Sequence, residues 1–126
     1  MAPDTEDVLG SFEARVEAQT RLSLQLSAEL EAAEVTLRSP NGEVTVRVDS
    51  AGGLSDLRFH PEAEAVSREE LARIVLATSR QAQAKLADRV GELVSSIYGS
   101  DSSTAAFVTD AYTSRYPHAE DEPEVR

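Results

Sequence analysis

The sequence predicts a small α+β protein: a long helix, a three-stranded antiparallel meander and a second long helix, paired as a homodimer. Three observations carry this. Apolar residues recur at alternating steps of three and four before residue 34 and again after residue 70, which is the helical period. Between them the pattern changes to strict alternation around an Asn-Gly pair. A chain of 126 residues with 40% hydrophobic residues has material for one core of ordinary size and no more.

In the first helical segment Leu9, Phe12, Val16, Gln19, Ser23, Leu26, Leu30 and Ala33 form a narrow seam, interrupted at Gln19 and Ser23 and flanked there by Leu22 and Leu24. A narrow seam suits one or two partner helices, and a wider stripe would be needed for burial in a large core. The expectation is that the half nearer the strands packs within the protomer and the distal half packs between protomers.

The meander follows. Val35, Leu37 and Ser39 alternate with Thr36 and Arg38; then come Pro40-Asn41-Gly42-Glu43; then Val44, Val46 and Val48 alternate with Thr45, Arg47 and Asp49. Asn-Gly between alternating runs predicts a hairpin with a type I′ turn, Asn41 and Gly42 both at positive φ. That register sets Leu37 opposite Val46 and Val35 opposite Val48. A second turn at Ser50-Ala51-Gly52-Gly53 leads to a third strand, where Leu57 and Phe59 keep the alternation and Leu54 falls out of phase, so a bulge is expected near Gly53. Pro61 closes the strand because it cannot donate to a ladder.

Ser67-Arg68-Glu69-Glu70 reads as a capping box, with Ser67 accepting from first-turn amides and Glu70 reaching back. The second helix then carries Leu71, Ile74, Val75, Thr78, Ala82, Leu86, Val90, Leu93, Val94 and Ile97 at helical spacing and ends at Gly99. The domain so defined runs over 1–98. A Ser-rich boundary with a candidate short helix occupies 99–116, and an acidic tail over 117–126 is expected to be disordered. Two helices of roughly 40 Å cannot both be covered by strands of about 20 Å, so apolar helix surface is left for a second copy. Phe12, Val16, Leu26, Leu30, Leu37, Val46, Phe59, Leu86 and Leu93 are the candidate core and dimer residues.

Charge narrows the function classes. The net charge is −11, and its placement is uneven. Residues 1–33 hold seven acids against Arg15 and Arg21, and residues 99–126 hold six against Arg115 and Arg126. The two segments between them, 34–60 and 61–98, are each one short of neutral. There is no Cys, and His60 and His118 are the two histidines, so neither a disulfide framework, thiolate chemistry nor a zinc site is expected. No catalytic spacing and no Gly-rich phosphate loop is present. An enzyme, a metal and a cofactor are therefore not expected. His60 reads as a strand-end loop residue, and His118 as solvated in the tail. No apolar run approaches the roughly 18 residues of a membrane span, and Met1-Ala2-Pro3-Asp4 opens neither a basic nor an apolar leader. A cytoplasmic protein without membrane contact is expected.

Gly42-Glu43-Val44-Thr45-Val46-Arg47-Val48-Asp49, the turn Ala51-Gly52-Gly53, the strand end Leu57-Arg58-Phe59-His60-Pro61 and the helix Glu70-Leu71-Ala72-Arg73-Ile74-Val75-Leu76-Ala77 with Gln81-Ala82-Gln83-Ala84-Lys85 together resemble the YbaB/EbfC family of bacterial nucleoid-associated proteins, in an acidic form like that of actinobacterial members. The resemblance covers about Asp4 to Tyr98. It implies a homodimer whose long helices reach out from a central sheet and bind duplex DNA with little sequence preference. The chain departs from the family pattern at Arg80-Gln81-Ala82, where many members carry an Asn-containing turn, and in its longer tail. Phosphate binding needs cations, which makes Arg73 and Arg80, seven apart on one face, the first candidates for DNA contact. Arg68 and Lys85 lie nearby, and Arg15 and Arg21 on the first helix assist. Arg89 falls toward the apolar side and suits a snorkelling role. The acidic ends motivate an alternative: a protein-interaction module, such as a secretion-associated adaptor, that keeps the dimer scaffold and has exchanged DNA for a protein partner.

Overall fold

In a computed structural model, residues 5–118 are described, with side chains from Val8 onward. The order is α1 (Thr5–Ala32), β1 (Val35–Arg38), β2 (Val44–Val48), β3 (Leu54–Phe59), a 3₁₀ turn (Pro61–Ala65), α2 (Arg68–Tyr98) and α3 (Ser103–Arg115). The strands form one antiparallel sheet in the order β1-β2-β3. Val35 faces Val48 and Leu37 faces Val46 across β1 and β2, the register that alternation predicts.

The sheet is held at both ends by the same turn device. Pro40 has its φ locked negative, and Asn41 also keeps a negative φ, so the expected type I′ turn does not form. Instead the Gly42 amide donates to the Ser39 carbonyl at 2.9 Å and the Ser39 amide to the Val44 carbonyl at 2.9 Å. Gly42 takes the left-handed φ of +82°. This is a type I turn followed by a left-handed glycine within the four-residue loop 40–43, with the proline at its first central position. The loop after β2 repeats it: Gly52 N–H donates to the Asp49 carbonyl at 2.9 Å, Asp49 N–H to the Gly53 carbonyl at 2.9 Å, and Gly52 has φ +82°. Asp49 Oδ1 also accepts from the Ala51 and Gly53 amides, each at 3.0 Å. The bulge lies two residues later than expected. Val48 pairs with Leu54 and Arg47 with Asp56, leaving Ser55 as the extra residue, its hydroxyl donating to the Arg47 carbonyl at 3.2 Å.

The core is α2 laid on the valine face of the sheet. Val35, Val44, Val46 and Val48 meet Ala82, Leu86, Val90 and Val94, with Leu26, Leu30, Leu37 and Leu57 packed at the margin. Leu86 and Val46 are fully buried, as expected. Leu93 is half-buried. Phe59 departs from the expectation: it shares the sheet face with Leu57 and Val44, but it sits at the end of the edge strand and is 56% exposed. The covering helix serves β1 and β2, so an apolar residue on the third strand stays open although its phase is right.

Ser67 caps α2, its Oγ accepting from Glu70 N–H at 3.1 Å. Glu70 does not return the bond as a capping box would. Its Oε2 takes both Nε and Nη2 of Arg73, at 3.1 and 2.7 Å. At the other end, Gly99 (φ +90°) stops the helix. The region after Gly99 folds back as α3, capped by Ser102 Oγ accepting from the Thr104 and Ala105 amides. Ala105 joins the core, and the Tyr112 and Tyr116 hydroxyls donate to the carbonyls of Ser50 and Ala51. His118 stays partly exposed, as the charge pattern suggests, and its Nε2 lies 3.0 Å from Asp88 Oδ1. The expected disordered tail lies mostly outside the described residues.

α1 runs antiparallel to the end of α2. Arg89 Nη1 donates to the Glu34 carbonyl, the snorkelling position anticipated for it, and Ser23 Oγ and Tyr98 Oη are 3.4 Å apart. Among the described residues nothing covers the turns before that. Val8, Leu9, Phe12 and Val16 are 45–60% exposed.

Two stability outcomes follow. Leu86→Ala should cost about 2–5 kcal/mol in chemical denaturation, the range for a fully buried leucine. A Cβ added at Gly52 would stand 2.3 Å from the Tyr116 ring, whereas one at Gly99 meets nothing within 4 Å. Gly99, at φ +90° and ψ +147°, sits in a region open in practice to glycine alone, so Gly99→Ala should cost about 1–3 kcal/mol through the backbone. Gly52→Ala should add about 1–3 kcal/mol of overpacking to its own backbone cost. In a Tyr116→Ala background that excess should vanish, and a double-mutant cycle reads it.

Candidate nucleic-acid interface

The sequence places its cations on three surfaces, and the structure treats them differently. On the sheet, neighbours occupy the cations. Arg38 donates to the Gly42 carbonyl at 3.1 and 3.3 Å and reaches Glu62 at 3.5 Å. Arg58 Nε lies 3.1 Å from Asp56, and Arg47 Nε donates to Thr36 Oγ1 at 3.4 Å. His60 shares a 2.7 Å hydrogen bond with Thr45 Oγ1 at the strand end, which accounts for it without a ligand. Among the described residues no group of three or more His, Cys, Asp or Glu could hold a metal ion.

On α2 the outer side is built by helical spacing from the side that makes the core. Because Ala82, Leu86 and Val90 face the sheet, Arg73 and Arg80 project to the opposite side. Both are exposed, as are Arg68 and Lys85. Arg73 is held by Glu70, a surface pair with its arginine side chain 70% exposed, so the pair is a weak restraint that a phosphate can replace. Arg68, Arg80 and Lys85 make no hydrogen bond or ion pair among the described residues. By the helical step Arg68 and Lys85 fall about 120° and 140° around the axis from Arg80, so Arg73 and Arg80 alone share the outer side, with Ala72, Leu76 and Ala77 exposed nearby and Glu69 and Glu70 in the first turn.

On α1, Arg15 and Arg21 are exposed but remote from the cations of α2. Ser23 sits at the far end of α2, so Arg15 and Arg80 are separated by roughly 40 Å along the two helix axes at 1.5 Å per residue. Within one protomer the structure therefore gathers Arg68, Arg73, Arg80 and Lys85 on one helix and does not bring Arg15 and Arg21 to them.

α3 is the feature that periodicity alone does not place. It returns antiparallel along α2, with Thr109 against Gly91. A shallow groove between the two helices is lined by Ala87, Asp88, Gly91, Glu92, Ser95, Thr109 and Thr113. The one signal for this docking was the pair of small residues Ala87 and Gly91, four apart where a second helix can approach closely. Among the described residues no helix is long and apolar enough to cross a membrane.

No curated protein and no solved structure matches the chain. A family model does match, over residues 8–101, the stretch from the exposed part of α1 through the meander to just past the glycine that ends α2. The meander, its two glycine-closed turns and the flanking long helices are thus the matched unit, and the chain belongs to the YbaB/EbfC DNA-binding family.

Proposed function

We propose that the chain acts as a nucleoid-associated homodimer that binds duplex DNA with little sequence preference, through the outer side of α2. The observation that supports this best is Arg80, exposed and without a partner among the described residues on the side of α2 turned away from the core, with Arg68 and Lys85, equally exposed and without partners there, on its flanks. Arg73 joins them by exchanging Glu70 for a phosphate. Arginine and lysine fixed along a helix address the backbone of DNA, and phosphate contacts carry no sequence information.

The second copy is supported by α1. Val8, Leu9, Phe12 and Val16 fall within about 100° of one another around the helix, on the same seam as Leu26 and Leu30 farther along. That seam is buried where α2 reaches it and open where α2 ends. A seam continuing beyond its own protomer is what a two-fold partner closes. Pairing also addresses the charge: two copies present two sets of α2 cations, while the largest excess of acid lies toward the chain ends.

Light scattering at micromolar concentration should give about twice 13.6 kDa, and Phe12→Asp with Val16→Asp should give the single mass; a single mass for the unaltered chain would refute the dimer. In anisotropy titrations, duplexes of different sequence should bind within a few fold of each other. With roughly four phosphates contacted, affinity should fall about 100-fold between 50 and 200 mM salt. Arg73→Glu with Arg80→Glu should abolish binding with the dimer intact. Binding that survives the double substitution would place the interface elsewhere.

A further inference from the structure

The family match ends at residue 101, and α3 begins at Ser103, so this helix is an addition to the matched unit. Its docking site matters. Steps of three and four carry one side of α2 from Arg73 and Arg80 through Ala84, Ala87, Gly91 and Ser95. The first half of that side is exposed. In the second half Ala84 and Ala87 are buried and Gly91 faces Thr109 of α3. The side that carries Arg73 and Arg80 therefore continues as the seat of α3.

We propose that α3 is an intramolecular cover for the DNA-facing side of α2: docked, it occupies the continuation of the side that carries Arg73 and Arg80, and released, it lets a duplex lie along the whole of that side. The proposal rests on the reading of α2 as the DNA-binding helix. Three features support it. Docking sets α3 beside that side of α2, with Asp110 exposed on it. This repels a phosphate backbone laid along α2. The hold has identifiable points: buried Ala105, half-buried Val108, Thr109, Tyr112 and Tyr116, and two tyrosine hydroxyls on the carbonyls of the Ser50–Ala51 turn. Release also leaves the contact of α2 with the sheet in place, because Val46, Leu86 and Val90 lie on the other side.

A cover of this kind lowers apparent affinity by the fraction of molecules in which it is open. The chain has no cysteine, and a Cβ at Gly91 would lie 4.0 Å from Thr109 Cβ, within the range a disulfide bridges. Gly91→Cys with Thr109→Cys can thus be locked with diamide and released with dithiothreitol in one preparation, with thiol titration confirming each state. Duplex affinity at 50 mM salt should be about tenfold or more weaker in the locked state. Tyr112→Phe with Tyr116→Phe should bind more tightly than the unaltered chain while hydrogen exchange in α3 quickens. Equal affinity locked and released overturns the cover and leaves DNA binding standing. So does unchanged or weaker binding in the tyrosine variant despite faster exchange. No DNA binding by the unaltered chain or by either state of the cysteine pair would instead bring down the DNA reading, and the cover with it.

Discussion

The structure depends on the contact between the valine face of the meander and one side of α2. Val35, Val44, Val46 and Val48 are short, stiff and β-branched, so they make a flat, well-defined floor. Ala82, Leu86, Val90 and Val94 are spaced to lie along it. A sheet of strands four to six residues long spans about 20 Å, whereas a 31-residue helix runs about 45 Å. The helix must overhang its floor. One overhang carries the exposed cations of its first turns, and the other receives α1 on one side and α3 on another.

Much of this was legible in the sequence because it is a matter of period. The long helices, the strand register, Ser67 as cap and Gly99 as stop all follow from local pattern, and each is where the pattern puts it. The errors arise where a neighbour overrides the pattern. Pro40 changes the turn type although Asn41-Gly42 invites another, and Ser55 takes the bulge that the glycines suggest for themselves. Phe59 keeps its phase and loses its cover, because alternation tells which face a residue is on and nothing about how far the covering helix reaches. Glu70 has two uses within reach and takes the arginine.

The candidate site was legible in part. Arg73 and Arg80 share a side by spacing, and the structure keeps them there. That Arg38 and Arg58 are ion-paired, that Arg15 and Arg21 lie at the other end of the protomer, and that α3 packs along the second half of α2 are tertiary facts with no periodic signature. The acidic balance, which opposes DNA when treated as an average, becomes compatible with it once the charge is resolved by location: Arg68, Arg73, Arg80 and Lys85 gather on α2, and the largest excess of acid sits on the segments at either end.

The projecting part of α1 has a further consequence. Its first four turns rest on nothing among the described residues, carry Gly10 within them, and are near the length at which an isolated helix in water is marginal. Whatever covers Val8, Phe12 and Val16 supplies the free energy that makes this stretch helical as well as the contact itself. Association and helix formation are then one equilibrium. In the proposed dimer, dilution removes helix along with the partner, and the reach of the arms is set by concentration.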